Sequence, residues 1–274
     1  MKLLSILSIL FFSVQITCAQ EIEPHLVKDS DKGKLYFYWG WNGEGFSKSD
    51  IKFEGADYSF RLDEVEAKDR QSKLGLDPYF YPRKFTIPQY NFRIGYAFKS
   101  NWDISFGVDH MKYVVQNNQT VAITGNIMDT NSDYFGTYDQ DPILITKDFL
   151  LFEHTDGLNY VNFELRRFDQ LAQFKMIKIN LTEGVGLGGM YTKTNTTLMN
   201  KEKYDEFQVT GFGFDAVVGL NISIFNRFFV QCELKGGYIN MPDIRTTISE
   251  LDSANHTFFF LQNNIVFGML FKIK

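Results

Sequence analysis

The stretch PQYNFRIGYAFKSNWDISFGVDHMKYVV, from Pro88 to Val115, decides the fold. Its residues alternate with a period of two, the repeat of an extended strand whose side chains point to opposite faces. Tyr90, Phe92, Ile94, Tyr96 and Phe98 share one face, and Gln89, Asn91, Arg93, Gly95 and Ala97 the other. After Lys99-Ser100-Asn101 the alternation resumes, with Trp102, Ile104, Phe106 and Val108 set against Asp103, Ser105, Gly107 and Asp109. A soluble sheet puts its apolar face on a core and its charges in water. Here the apolar face is long and aromatic, while the other mixes small, polar and charged groups. That is the pattern of a membrane barrel, apolar outside and polar inside.

The same pattern recurs on both sides of this hairpin. Upstream, Lys34–Glu44 carries Leu35, Phe37, Trp39 and Trp41 on one face. Downstream, strands are predicted over Leu151–Phe168, Lys175–Thr192, Phe207–Ile224, Phe228–Ile239 and His256–Ile273, with a turn at Asp169–Gln173 between the first two. Glu183 falls on the outward face of its strand, and a β-bulge there would repair the alternation. Long connections over 45–87, 116–150, 193–206 and 240–255 alternate with short turns at 99–101, 169–173 and 225–227. The first connection holds alternating pieces of its own, IKFE and DYSFRL, which read as a hairpin standing above the membrane. The expectation is an all-β fold: an eight-stranded antiparallel transmembrane β-barrel with long extracellular loops and short periplasmic turns. A β-sandwich could also supply eight strands, but nothing in it would alternate long and short connections.

The chain has 274 residues and a net charge of −5, with no basic run of the kind that binds nucleic acid. Mean hydropathy is mildly negative, which excludes a bundle of apolar helices but not barrel strands, where every second residue is polar. The first segment, MKLLSILSILFFSVQITCAQ, has a lysine, an apolar run and a small-x-small site at Thr17-Cys18-Ala19, the features of a cleaved signal peptide over 1–19. Cys18 as a lipoprotein cysteine is the alternative, and Thr17 fits that motif poorly. Residues 20–33 read as a periplasmic lead-in to a barrel over 34–274. After cleavage only Cys232 remains, so no internal disulfide is available.

The Pro88–Tyr113 hairpin, the phrase EHTDGLNY at 153–160 and the aromatic last strand resemble a family of small Gram-negative outer-membrane β-barrel proteins of unassigned activity. In architecture the chain is also similar to the outer-membrane protein A and X class. The resemblance implies a location in the cell outer membrane, contact with its lipid and lipopolysaccharide, and assembly by the barrel-insertion machinery. The chain departs from the pattern at its end, where Phe271-Lys272-Ile273-Lys274 replaces a terminal aromatic residue.

Two constellations could carry chemistry. Strand parity points Arg93, Arg166, Lys178 and Lys235 inward together with Asp103, Glu164, Asp215 and Glu233. The lumen of an eight-stranded barrel is just wide enough for side chains to fill it. These charges are therefore expected to pair into a plug, with Arg93 and Asp103 as candidate partners across the 99–101 turn. A selective pore would instead show an excess of one sign around a ring. The second constellation is a rim cluster of Asp109, His110 and Tyr113 with Glu153, His154 and Asp156. Histidine beside carboxylates is the raw material of acid–base chemistry. Lipid A deacylases of this size place a histidine and a serine two residues apart on the lipid face. His110 has that parity, but position 112 is lysine, so the nucleophile is missing. Parity also sends His154 inward and His110 outward. The acidic run Asp129-Thr130-Asn131-Ser132-Asp133 begins like a calcium loop but continues with Tyr134 where glycine is required. No metal, cofactor or catalytic group is assigned. The functional expectation is a structural or surface-binding barrel acting through its extracellular loops, with a small-solute pore or a lipid-modifying enzyme using His110 as alternatives.

Overall fold

A computed structural model describes residues 31–272 apart from 74, 82 and 85–87, and omits the side chains of Thr155 and Asp156. The expected signal segment, most of the expected lead-in and the last two residues lie outside it. The strands in chain order are β1 (Lys34–Phe46), β2 (Ser49–Gly55), β3 (Tyr58–Val65), β4 (Ala67–Lys68), β5 (Tyr90–Lys99), β6 (Trp102–Val115) and β7 (Thr120–Ile127). They continue as β8 (Gly136–Leu144), β9 (Leu150–Phe174), β10 (Ile177–Lys193), β11 (Asn195–Leu198), β12 (Phe207–Ile224), β13 (Phe228–Arg245) and β14 (Ser253–Lys272).

Eight of these pair antiparallel in the order β1-β5-β6-β9-β10-β12-β13-β14, and β14 pairs back onto β1 from Lys34↔Lys272 to Phe46↔Phe260. The ring is closed. Closure removes the exposed sheet edges that would otherwise template aggregation. Outward positions form an apolar belt that includes Phe92, Ile94, Ile104, Phe106, Phe163, Val185, Leu187, Phe214, Val218 and Phe267, each about 40 to 60% exposed. Inward positions are polar, as the alternation requires.

The long connections are more structured than the sequence suggests. The β2–β3 hairpin forms where the IKFE and DYSFRL pieces fall, and β2 pairs with the start of β14 through Ile51↔His256 and Phe53↔Ala254. The region 116–150, read as a loop, contains β7 and β8. These extend the same sheet through Leu62↔Ile123 and Ala122↔Pro142. β9 begins at Leu150 and runs for 25 residues, and β13 runs on to Arg245, so the fourth loop shrinks to 246–252. β11, inside the third loop, pairs with the start of β9. Together these segments make a β cap over one end of the barrel. Its core buries Ile51, Phe53, Phe60, Leu62, Ile123, Phe149 and Phe152 completely. β2 and β3 keep an alternating burial pattern and were legible as a hairpin, whereas β8, GTYDQDPIL, is mostly exposed and polar and carries no apolar alternation to mark it.

At the opposite end two expectations need correction. The predicted turn at Asp169–Gln173 is strand, and β9 reaches β10 through Lys175-Met176, with Lys175 at φ +50°. No bulge relieves Glu183. The pairing of β10 with β9 runs without a shift from Asn180 to Thr192, and its irregularity lies between Ile179 and Asn180. Glu183 stays outward and directly opposite Arg167, whose guanidinium also contacts Asp169 at 2.8 Å. The outward carboxylate is thus answered by a cross-strand cation near Trp102, which is itself paired with Arg167.

Candidate functional site

The lumen is layered. At its centre Glu164 of β9 accepts from three cations. Arg93 of β5 meets its Oε1 at 2.5 Å, Lys235 of β13 meets the same oxygen at 2.7 Å, and Arg166 meets Oε2 at 2.5 Å. Arg166 also pairs with Glu233, and Lys235 reaches Asp109 Oδ2 at 2.6 Å. The Tyr38 hydroxyl accepts from both Arg93 Nε and Arg166 Nη2 at 3.0 Å. Three cations therefore face three carboxylates. Arg93, Arg166 and Lys235 are at most 1% exposed. Backbone on the facing strands makes room for these long side chains. A Cβ at Gly186 would collide with the Glu164 and Asp215 side chains, and one at Gly107 with the Arg93 guanidinium.

Above the charges lies an amide layer. Asn91 donates to Asp109 Oδ1 at 2.5 Å and to Gln262 Oε1 at 3.1 Å, and Asn162 donates to Asp109 Oδ2 at 2.9 Å. Below them Tyr36, Tyr38 and Phe229 form an aromatic layer around a cavity of about 40 Å³, room for a few water molecules.

The expected pair of Arg93 with Asp103 is corrected: Arg93 turns to Glu164, and Asp103 Oδ1 instead accepts from the Tyr36 hydroxyl at 2.7 Å. Asp215 accepts from Tyr160 at 2.8 Å and lies outside the central ion pairs, while Lys178 is buried nearer the short-turn end. Asp109 was missed as a lumen charge. Strand parity does place it inward, but its proximity to His110 drew it into the rim reading.

That rim cluster is divided. His110 faces outward, stacked on Tyr90 at 5.0 Å between ring centroids, with Nδ1 2.8 Å from Asn159 Oδ1. Glu153 pairs with Arg70 at 2.6 Å and accepts from Asn195 at 2.9 Å. His154 and Tyr113 lie inside the cap core. His154 is 6.0 Å from His256 between centroids, its Nδ1 is 2.9 Å from Thr194 Oγ1, and the Tyr113 hydroxyl is 3.0 Å from Ser49 Oγ. The side chain of Asp156 lies outside the described part.

Burial holds both cap histidines neutral. It keeps His154 well below its ordinary value, assisted by the charge of His256, and pushes His256 down to about 3. A histidine depressed in the folded state stabilises it above the unfolded value of 6.5, and that contribution fades as pH falls toward 3. The cap is therefore expected to loosen on acidification, by up to about 1.4 kcal/mol per pH unit for each ring. Limited proteolysis of the 128–135 segment should speed up from pH 7 to pH 4, and a His154→Phe/His256→Phe variant should flatten the response. Cleavage at one rate across that range in the native chain would contradict it.

The cap also carries a polar groove of about 750 Å³ on its outer face, lined by Lys48, Arg61, Asp63, Glu66 and Gln140. The Arg61 guanidinium sits 2.5 Å from Asp63 and holds that carboxylate below its usual range.

No protein-family model and no curated protein matches the sequence. Among solved structures, the chain is similar to the outer membrane protein OprG from Pseudomonas aeruginosa, with a TM-score of 0.39 and 10% identity over 90% of this chain and 99% of that one. It is also similar to Ail, the attachment invasion locus protein of Yersinia pestis, with a TM-score of 0.28 and 9% identity over 86% and 99%. The outer membrane protease OmpT from Escherichia coli follows, with a TM-score of 0.24 and 6% identity over 87% and 96%. At these scores the barrel assignment rests on this chain's own strand pairing.

Proposed function

We propose that this chain is an integral barrel of a Gram-negative outer membrane that does not conduct, and that it works by surface binding through its extracellular cap rather than by catalysis. The observation that carries the reading is the continuity of barrel strands into a folded cap above a lumen filled by paired charges. A pore needs a water path, and the burial of the Glu164 network weighs against one at its level. Loops far longer than ordinary connections favour a role of their own, and here they are spent on a sheet with its own core. The polar groove beside Arg61 is the surface offered to a ligand, with lipopolysaccharide and outer-membrane lipid as neighbours and the barrel-insertion machinery as the assembly partner. His110 is occupied by Tyr90 and Asn159 and has no serine two residues on, which weighs against the lipid-modifying alternative.

Purified protein in a planar bilayer should show little or no steady conductance, and large ion-selective currents would overturn the sealed-barrel reading. Protease applied to intact cells should cut in the cap and spare the 99–101 turn. Cleavage at that turn would reverse the proposed topology.

A further inference from the structure

One recess lies on the outward wall, apart from the lumen and from the cap groove. It has a volume of about 980 Å³ and sits where β1 meets β14 at the cap end of the apolar belt. Gly43 and Gly45 of β1 face outward without side chains: the Gln71 amide of the strap lies over Gly43, and the floor is bare at Gly45, where a Cβ would meet nothing within 4 Å. Its apolar walls are Trp41, Ile265 and Phe267. Its roof is a strap that leaves the cap after β4, crosses the rim where Asp69 accepts from the Glu44 backbone N–H, and descends outside the barrel. There the Tyr79 and Phe80 rings each pack edge-on against Trp41 at 5.4 Å. Across the β1–β14 seam Gly43 faces Asn263 and Gly45 faces Leu261, so the glycines lie beside apolar walls, under an aromatic roof and next to a polar edge of Asn263, Glu44 and Asp69. Its volume lies at the upper end of the roughly 300–1,000 Å³ span of small-molecule sites.

We infer that this recess holds an acyl chain of an anionic outer-leaflet lipid, whose phosphate is met by the basic residues of the strap. The inference rests on the membrane reading above. Three observations converge on that occupant. The recess is continuous with the apolar belt, so a chain enters it from the bilayer without crossing water. The strap carries exposed apolar tips, Leu76 at 81% and Phe80 at 66%, in the place where a bilayer surface would lie. Lys73 and Arg83 stand exposed on the same strap with no ion pair among the described residues, whereas Lys84 is held by Asp77 at 2.8 Å. Basic residues beside inserted aromatic groups are the arrangement that attracts anionic headgroups at a membrane surface.

The test uses the chain's own fluorophores. Trp39, Trp41 and Trp102 are its three tryptophans, and replacing Trp39 and Trp102 by Phe leaves Trp41, in the recess wall, as the sole reporter. The protein is reconstituted in phosphatidylcholine bilayers containing a minor fraction of phosphatidylglycerol brominated in its acyl chains. Quenching of Trp41 should exceed that from the same fraction of brominated phosphatidylcholine by roughly five-fold, the enrichment one basic residue gives near an anionic lipid. Gly45→Phe, which fills the floor without a backbone clash, should abolish the excess while leaving the sheet circular dichroism and heat-modifiable gel mobility unchanged. Lys73→Ser/Arg83→Ser should reduce the excess and leave the floor open. Equal quenching by both brominated lipids, or an excess that survives Gly45→Phe, would overturn the site. Trp41 unquenched by either lipid would instead overturn the membrane reading itself.

Discussion

Glu164→Gln is expected to destabilise the barrel by roughly 3–5 kcal/mol, the penalty for leaving buried charge uncompensated. Glu164 is the one lumen acid that touches Arg93, Arg166 and Lys235 together, so its loss leaves more positive charge unanswered than any other single change in the network. The measurement is a urea titration of protein refolded into lipid vesicles, read by tryptophan fluorescence. Two comparisons sharpen it. Arg166→Met should also destabilise, because it strands Glu233 and part of Glu164. Arg166→Met combined with Glu233→Gln should recover part of that loss, since Arg93 and Lys235 then still face Glu164 and Asp109 in equal number. A Glu164→Gln protein with the unfolding midpoint of the native chain would show the network to be hydrated and energetically idle.

The second large effect is expected on the outer face. Val218 lies midway along the outward row of β12, between Phe212 and Ile222, and is 46% exposed. Val218→Arg should cost roughly 2–4 kcal/mol, the figure for a cation at the midplane of a membrane barrel, with the cost falling toward the interfaces. Ile222→Arg, on the same row beside the Phe225-Asn226-Arg227 turn, should be milder because its guanidinium reaches the headgroup region. Ser223 is no substitute as a control, since it is buried in the lumen, with its hydroxyl donating to Asn221 at 2.7 Å. Equal losses at 218 and 222 in the same titration would show the belt to be placed at the wrong depth.

The barrel was legible because its two environments differ so sharply. Through the barrel part of β5 and β12 the outward residues are apolar and the inward ones, Val217 apart, small, polar or charged, and the structure keeps both strand ends within a residue or two of the reading. Legibility fails where a strand leaves that asymmetry. On β6 the alternation stops at Asp109, His110 and Met111, all buried, because the cap and neighbouring side chains now cover both faces. The same blurring placed Asp109 beside His110 rather than beside Lys235, whereas the missed end of β9, 169–174, lies at the short-turn end with no buried position to mark it. The lumen charges could be named from parity alone. Their partners could not, because parity gives a face and not a rotamer, and Arg93 reaches past its hairpin neighbour to Glu164 on a more distant strand. The recess on the outer wall was likewise silent: paired glycines in a strand read as weak positions until the strap above them is seen.

β14 carries two closures at once. It seals the ring by pairing with β1, and its first residues supply the edge on which β2, β3, β7 and β8 are laid, through contacts such as Ile51↔His256. Residues that leave the ribosome early must therefore wait for the last strand before they have a partner, and contacts so distant along the chain form slowly. Until then the cap hairpins lack their anchoring edge and the lumen acids lack one wall. The cap, though most of it is early in chain order, is thus expected to be among the last parts of the molecule to become ordered.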